Sequence, residues 1–319
     1  ENGGQVMQNA VANPCSSMDR TSFTIFDDFG RTDAANALRL ARRFGDWFRY
    51  WGERGVFLVW DESRWRVDTL CRMEQLAKRI SGDLFREIAD LADQHPRSEA
   101  DLRTASLFAQ KASSAQGIQS MLKLVRSEPG ICIDGGQLDR DPMLLNLRNG
   151  TFDLRRGVLR AHAIEDFCTK LCPVEYNARA VCPTWDRFAH EVFQGNIELI
   201  EYVQRAAGYS LTGDVREQAL FLCVGDGANG KSTLLNILLH LMGQDYAMKA
   251  ATELLVARKQ RGHPTELIDL FGKRFVAAIE TEADQRLAES FVKELTGGDR
   301  IRARGMRENF FEFAPTHKI

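Results

Sequence analysis

Eight consecutive residues carry the clearest chemistry in this sequence: Gly225-Asp226-Gly227-Ala228-Asn229-Gly230-Lys231-Ser232. They match the pattern G-x-x-x-x-G-K-[ST] at every fixed position. Glycines at these positions let the backbone fold around a phosphate chain with its N–H groups pointing inward, and a following helix adds a favourable dipole. Lys231 would reach the β- and γ-phosphates, and the Ser232 hydroxyl would help to hold Mg²⁺. We predict that this loop binds ATP, with Thr233 as a further contact.

The segments on both sides of the loop suit that role. Residues 219–224 form an apolar run that predicts a buried parallel strand. Residues 232–242 are rich in apolar side chains and predict a helix, with Gly243 where the helix would end. The alternative is a glycine-rich turn that binds nothing, but the strand and helix patterns together favour a phosphate-binding loop.

Two glutamates are candidates for the catalytic acids. Residues 275–279 form a second apolar run, and Glu280 and Glu282 follow it directly. Ligands of open α/β sheets bind at the carboxyl ends of the strands, so we expect these acids beside the phosphates. We assign Glu280 to Mg²⁺ through water, and Glu282 or Glu280 to activation of the attacking water. The alternative is a pair of solvated acids at the start of a loop.

Composition limits the classes of function. Hydrophobic residues make up 44% of the 319 residues and the net charge is −2, which is typical of an ordinary globular protein without an overall basic field. DNA contact would therefore need a local cluster of cations. No apolar stretch approaches the roughly 18–20 residues of a membrane span, and no secretory signal is visible. Seven scattered cysteines indicate reduced thiols and a cytoplasmic location.

The pattern along the chain predicts two domains behind a tail or linker at residues 1–24. A mainly helical α+β domain would cover residues 25–208, with a helix in 33–50, a strand at 56–60 paired with a strand at Trp65, and a helical region at 70–125 broken near 95–97. Short strands at 144–147 and 151–154 and helices in 185–208 would follow. Residues 209–319 would form an α/β ATPase core. Because the sequence starts without methionine and stops inside an apparent strand, we expect a fragment of a longer polypeptide.

Several spaced motifs resemble the superfamily 3 helicases. Asn229 just before Gly-Lys-Ser is similar to their phosphate loop, and residues 293–304 resemble the block that distinguishes them from other P-loop ATPases. Residues 263–266, 270–274 and 280–282 are similar to the phage and plasmid branch, which is related to the poxvirus primase–helicases. Motifs upstream of the helicase core in that branch are similar to residues 32–37, 60–68, 145–151 and 208–213. The resemblance therefore covers roughly residues 25–319.

This resemblance implies a P-loop AAA+-like core in a homo-hexameric ring that hydrolyses ATP with Mg²⁺ and moves along DNA at a replication fork. Proteins of this family often carry a primase or primase–polymerase domain further toward the N-terminus, and they act with other replication proteins. The location would be the bacterial host cytoplasm if a phage or plasmid encodes the chain. The family's sensor asparagine and arginine finger would lie beyond Ile319, so the core is expected to be incomplete. A missing arginine finger matters because it contributes roughly 10³–10⁵ in rate in P-loop enzymes.

A predicted hairpin near the C-terminus would hold the DNA. Residues 301–306 and 310–313 flank Arg307, and the family's DNA-contacting hairpin stands at this place in the order of motifs. Alternation puts Arg302 and Arg304 on one face, with Phe311 and Phe313 sharing a face of the partner strand. Arg307 at the tip would contact phosphates, and Lys293 is a further candidate. The alternative is that Arg302 and Arg304 pair with acids of a neighbouring subunit.

The sequence therefore predicts an ATP-dependent DNA helicase module of phage or plasmid replication. The alternative is an assembly scaffold that binds nucleotide and DNA without turnover. A small-molecule kinase would share the phosphate loop but would not explain residues 293–304.

A zinc site is disfavoured because the cysteines do not form the closely spaced pairs that are typical of structural zinc sites. The candidate ligands would be His162, Cys168, Cys172, Cys182 and His190. A packed core is favoured over base stacking for Trp47, Trp51, Trp60 and Trp65.

Overall fold

The computed structural model describes residues 30–94, 98–225, 227–250, 254–255, 267–278, 288–304 and 311–319. Its helices and small sheets form a mixed α/β structure. The described chain divides into two compact units. The first contains residues up to Glu62 together with Val67–Ile133, and the second contains Ser63–Arg66 together with Asp134–Ile319. The predicted boundary at residues 208–209 lies inside the second unit, and that division of domains stays a prediction.

The first unit packs four helices against a small sheet. The helices are α1 (Asp33–Phe44), α2 (Arg72–Gln94), α3 (Glu99–Ser113) and α4 (Ala115–Val125). Side-chain hydroxyls begin three of them, since Thr32, Ser98 and Ser114 accept backbone N–H groups of the first turns of α1, α3 and α4. The helices bury apolar side chains at helical spacing, such as Ala37, Leu40 and Phe44 in α1.

The sheet of the first unit has the strand order β3-β2-β1-β4, although Trp65 and Arg66 of β3 are counted in the second unit. Strand β1 (Phe48–Trp51) pairs antiparallel with β2 (Val56–Trp60) and parallel with β4 (Cys132–Ile133), and β3 is Trp65–Val67. The sequence predicted β2, β3 and the helical region. The prediction of one helix through residues 33–50 was wrong at its end, because α1 stops at Phe44 and the aromatic residues of β1 pair as a strand.

The second unit begins with an antiparallel meander. Its strands are β5 (Leu144–Leu147), β6 (Gly150–Asp153) and β7 (Val158–Arg160). Helices α5 (Pro183–Val192) and α6 (Ile197–Leu211) follow, then α7 (Lys231–Tyr246). The chain leaves helical geometry at Gly243, whose φ is +67°. Strands β5 and β6, the helices and the break in α7 at Gly243 were predicted, whereas β7 was not.

The remaining elements form two small sheets. Strand β8 (Ala247–Ala250) pairs parallel with β9 (Phe275–Ala278), and β9 also bridges to Lys318 in parallel. Helix α8 (Glu289–Thr296) precedes β10 (Ile301–Ala303), which pairs antiparallel with β11 (Phe311–Phe313). One core cluster joins these strands, with Leu270, Leu295, Ile301 and Ala303 fully buried. The predicted strand at residues 275–279 and the predicted hairpin are thereby confirmed for their described parts.

A buried asparagine ties the second unit together. Asn146 of β5 is fully buried, and its amide Nδ2 donates to the carbonyl oxygens of Ser63 and Lys170, both at 2.9 Å. Its Oδ1 accepts from the Thr151 hydroxyl at 3.1 Å and lies 2.9 Å from Nδ1 of His162. Because this oxygen can only accept, the network selects the His162 tautomer that carries its proton on Nδ1.

Candidate nucleotide-binding site

The glycine-rich loop (residues 225–232) has the backbone that its sequence dictates. Gly225 has φ +152° and Gly230 has φ +84°, values that L side chains rarely adopt. Ala228 lies in the left-handed region at φ +59°. Helix α7 starts at Lys231, immediately after Gly230, so the loop leads directly into a helix N-terminus. This is the backbone arrangement that favours phosphate binding. Asp226 lies outside the described residues.

Lys231 turns back toward its own loop. Its Nζ atom donates to the carbonyl oxygen of Gly225 and to Oδ1 of Asn229, both at 2.7 Å. These contacts place the ammonium group beside the loop rather than along the helix. Ser232 and Thr233 occupy the first turn of α7 and are exposed, as are Gly227, Ala228 and Asn229. A cation, two hydroxyls and the helix N-terminus are thus grouped at one end of α7, where the dipole favours anions.

Helix α5 lies against the loop at Gly230. A Cβ atom added to Gly230 would be 2.5 Å from Cγ2 of Val192 and 3.3 Å from Cε2 of Phe188. Only glycine therefore fits between the loop and α5, in addition to its left-handed backbone. The motif predicted glycine here for phosphate access, and the structure adds a packing reason that the sequence analysis missed. The apolar spacing of Phe188 and Val192, four residues apart on one helix, was the available signal.

The run that precedes the loop does not form the predicted strand. Residues 219–224 have no strand assignment, and the side chains of Leu222 and Val224 are 68% and 89% exposed. Phe221 nevertheless donates its backbone N–H to the carbonyl oxygen of Ile319 at 2.9 Å, beside the residues that pair with β9. The physical reason is that an apolar run becomes a buried strand only where neighbouring strands cover it, and the described residues cover this run only at its start.

The predicted acids lie outside the described residues. Glu280 and Glu282 follow β9, whose last described residue is Ala278. Strand β9 hydrogen bonds to residues 317–319, since Val276 donates to the Lys318 carbonyl oxygen and Lys318 donates to the Arg274 carbonyl oxygen, both at 2.9 Å. Ile319 in turn accepts from Phe221, so backbone hydrogen bonds connect β9 to the run before the loop. The roles of Glu280 and Glu282 stay predictions.

The candidate DNA contacts divide between buried and exposed faces of the β10–β11 hairpin. The register pairs Ile301 with Phe313 and Arg302 with Glu312. Ile301, Ala303 and Phe313 are buried, so Arg302 points to the opposite, exposed face as the alternation predicted. Arg304 follows β10 and is half-buried, Lys293 is exposed on α8, and Arg307 lies outside the described residues. DNA contact by these four cations stays a prediction.

A second group of buried cations was missed by the sequence analysis. Arg274 donates to the carbonyl oxygens of Leu211 and Leu144, both at 2.6 Å, while its guanidinium lies 4.6 Å from the Tyr246 ring centroid. Lys318 is 2% exposed and donates to the carbonyl oxygen of Asp214 at 3.0 Å. Burial, together with the nearby positive charge of Arg274, lowers the pKa of Lys318 to about 7. No sequence pattern distinguished these cations from surface ones.

The zinc candidates have other environments. Cys168 and Cys172 are buried, and burial raises the pKa of Cys168 to about 12. The Cys172 thiol donates to the carbonyl oxygen of Leu241, with 2.8 Å between sulfur and oxygen. Cys182 is exposed. Across the described ranges, no three His, Cys, Asp or Glu side chains are grouped as a metal site.

The tryptophans test the packed-core prediction. Trp60 and Trp65 are 6% and 1% exposed, which confirms the packed-core prediction for these two. Trp51 is half-buried, with Nε1 donating to Glu53 at 2.8 Å. None of the helices in the described part of the chain is long and apolar enough to span a membrane.

Comparison with known proteins finds relatives among proteins of large DNA viruses. Residues 37–194 match the family described as "D5 N terminal like", a segment that ends within the α5–α6 turn. A protein named "Putative helicase" from Acanthamoeba polyphaga mimivirus is 29% identical over 187 residues, which are 57% of this chain and 19% of that protein. A "Putative helicase" from Invertebrate iridescent virus 3 is 23% identical over 192 residues, which are 57% of this chain and 20% of that protein.

A "Putative primase" from African swine fever virus is 22% identical over 190 residues, which are 56% of this chain and 19% of that protein. The chain thus spans about a fifth of the length of the curated relatives it matches. The D5 N-terminal-like segment and the names of these relatives support a relationship to primase–helicase proteins of large DNA viruses.

Proposed function

We propose that this chain is the ATP-dependent module of a replicative primase–helicase, with a core of the superfamily 3, phage and plasmid type. The observation that carries the proposal is the glycine-rich loop, in which Lys231, the first residue of α7, contacts the Gly225 carbonyl oxygen. A lysine in this position neutralises the charge of a polyphosphate. The likeness to viral proteins named as helicases and primases gives that nucleotide site its replication context.

The residues present fit a nucleotide with Mg²⁺. Gly225 and Gly230 adopt positive φ angles, which a loop that folds around an anion requires, and Ser232 has its hydroxyl in the first turn of α7. Ser232 and Glu280 would hold Mg²⁺, and Glu282 or Glu280 would orient water. Bound ATP would supply the phosphoanhydride bond whose hydrolysis provides the energy. In a homo-hexameric ring, Arg302, Arg304, Arg307 and Lys293 would add positive charge along a DNA path without making the chain basic overall.

The test is the steady-state release of phosphate from Mg-ATP, with and without single-stranded DNA. For the wild-type chain we expect turnover that rises several-fold when DNA is added. Lys231→Ala is expected to reduce turnover at least a hundredfold, because the phosphate charge loses its cation. Lys123→Ala is the matched control, since Lys123 is an exposed lysine of α4 in the first unit. If DNA leaves turnover unchanged, this chain does not act as a translocating motor on its own.

A scaffold that binds nucleotide and DNA without turnover is the second candidate. The exposed run before the loop favours it, because Leu222 and Val224 lack the packing of a central strand that would hold the loop against catalytic acids. Saturable ATP binding that is lost in Lys231→Ala, together with no phosphate release under any DNA condition, would select the scaffold over the motor.

A further inference from the structure

The Asn229 side chain contacts two residues of the glycine-rich loop, Lys231 and Gly225. Its Oδ1 accepts from the Lys231 ammonium at 2.7 Å, and the same ammonium donates to the Gly225 carbonyl oxygen at 2.7 Å. A Cβ atom added to Gly225 would lie 2.4 Å from Nδ2 of Asn229, so the amide packs closely over the Gly225 backbone. The Asn229 side chain is therefore a hydrogen-bond partner of the lysine that would contact phosphate.

The two oxygens bound by Lys231 differ in how readily they can be replaced. A lysine ammonium only donates hydrogen bonds, so every oxygen that approaches it competes for one of its three donors. The Gly225 oxygen belongs to the backbone. The Asn229 oxygen stands on an exposed side chain that can rotate about two bonds into water. A phosphate oxygen that approaches Lys231 would accept from the same N–H groups. Of these two contacts, the one with Asn229 is the one that the phosphate oxygen can more readily replace.

The backbone around Asn229 limits the exchange to side-chain rotation. Gly230 follows it in a left-handed conformation and is close to Val192 and Phe188 of α5, which leaves no space for displacement toward that helix. Ala228 precedes it, also in a left-handed conformation. Because the backbone next to Asn229 is restricted on this side, rotation of the Asn229 amide can release the ammonium without a movement of the loop.

We propose that Asn229 determines nucleotide affinity by competing with phosphate oxygens for the Lys231 ammonium. The inference rests on the proposed function and deepens it, because it assigns the competitor within the same site. A hydrogen bond to a charged group is stronger than a neutral one, and solvent exposure reduces its net value. Removing the competitor is therefore expected to tighten phosphate binding by about three- to tenfold.

The experiment is calorimetric titration of the full 319-residue chain with a non-hydrolysable Mg-ATP analogue and, separately, with inorganic pyrophosphate. Asn229→Ala is expected to bind both probes about three- to tenfold more tightly than wild type. Asn229→Ser should behave in the same way, because its hydroxyl is too short to reach the ammonium. Asn177→Ala is the matched control: Asn177 is an exposed turn residue far along the sequence from the loop, and its affinity should equal that of wild type.

The outcomes separate this inference from the proposed function. If Asn229→Ala and Asn229→Ser, both folded by circular dichroism, bind the probes equally well or more weakly, Asn229 supports the loop and the competition is excluded. If wild type shows no saturable binding, or Lys231→Ala binds as tightly as wild type, the loop is not a nucleotide site. Both the proposed function and this inference are then excluded. Loss of binding in Lys231→Ala with unchanged affinity in both Asn229 variants would overturn the inference alone.

Discussion

Two asparagines of the second unit stand in opposite environments. Asn146 is fully buried and bonds two backbone carbonyls, a threonine hydroxyl and a histidine ring. Asn229 is exposed and bonds the Lys231 ammonium in a loop of left-handed residues. A buried amide cannot exchange its partners for water, whereas an exposed one can. The same side chain therefore stabilises structure in one place and can regulate ligand binding in the other.

The largest expected effect tests the buried side of this comparison. Asn146→Ala should lower the free energy of unfolding by about 3–4 kcal/mol, because it leaves the Ser63 and Lys170 carbonyls and the Thr151 hydroxyl without their partner in a buried site. Urea unfolding followed by tryptophan fluorescence measures it, since the buried Trp65 lies in the same unit. Asn177→Ala is the exposed control, with a change of about 0.5 kcal/mol. Equal losses in the two variants would contradict the network's role.

A buried carboxyl of the first unit gives an intermediate effect. Glu87 of α2 has no hydrogen-bond partner at Oε2 among the described residues, and burial raises its pKa to about 8, although Arg39 lowers it. The folded state therefore keeps a proton that the unfolded chain releases near pH 4.5, so stability should fall as pH rises from 4.5 to 8. We expect about 1–2 kcal/mol, discounted because the group is half-buried.

Glu87→Gln isolates this contribution, since the glutamine stays neutral and keeps the shape of the protonated acid. Unfolding midpoints measured between pH 5 and pH 8 should fall with pH in the wild-type chain and fall less in the variant. Parallel pH profiles for the two proteins would show that Glu87 titrates with its ordinary pKa.

The smallest expected effect tests the exposed side. Lys231→Ala should change the free energy of unfolding by less than about 0.5 kcal/mol, because its contacts to Gly225 and Asn229 lie at the surface where water replaces them. Urea unfolding without nucleotide measures it. A loss above about 2 kcal/mol would mean that Lys231 holds the loop together, and the contrast between the two asparagine sites would no longer hold.

The sequence predicted those features that depend on residues close together in the chain. The glycine-rich loop, the helix after it and the break in that helix at Gly243 were predicted, because left-handed positions and a helix N-terminus have specific residue requirements. The strand at residues 219–224 failed because its apolarity does not identify a covering neighbour. The Asn146 network was missed because alternation treats a polar residue in a strand as exposed. The contact of Gly230 with Val192 depends on residues 38 positions apart, which spacing alone cannot connect.

The parallel pairing of β1 with β4 has a consequence for the order of folding. Tyr50 meets Cys132 across this pair, with α2, α3 and α4 between them in the chain. Closing so long a loop costs entropy before any contact compensates for it, and such pairings slow folding. We expect the helices, whose contacts are more local, to assemble early, and the last strand to dock in the rate-limiting step. A ribosome-bound chain could complete this sheet only after β4 has emerged from the exit tunnel.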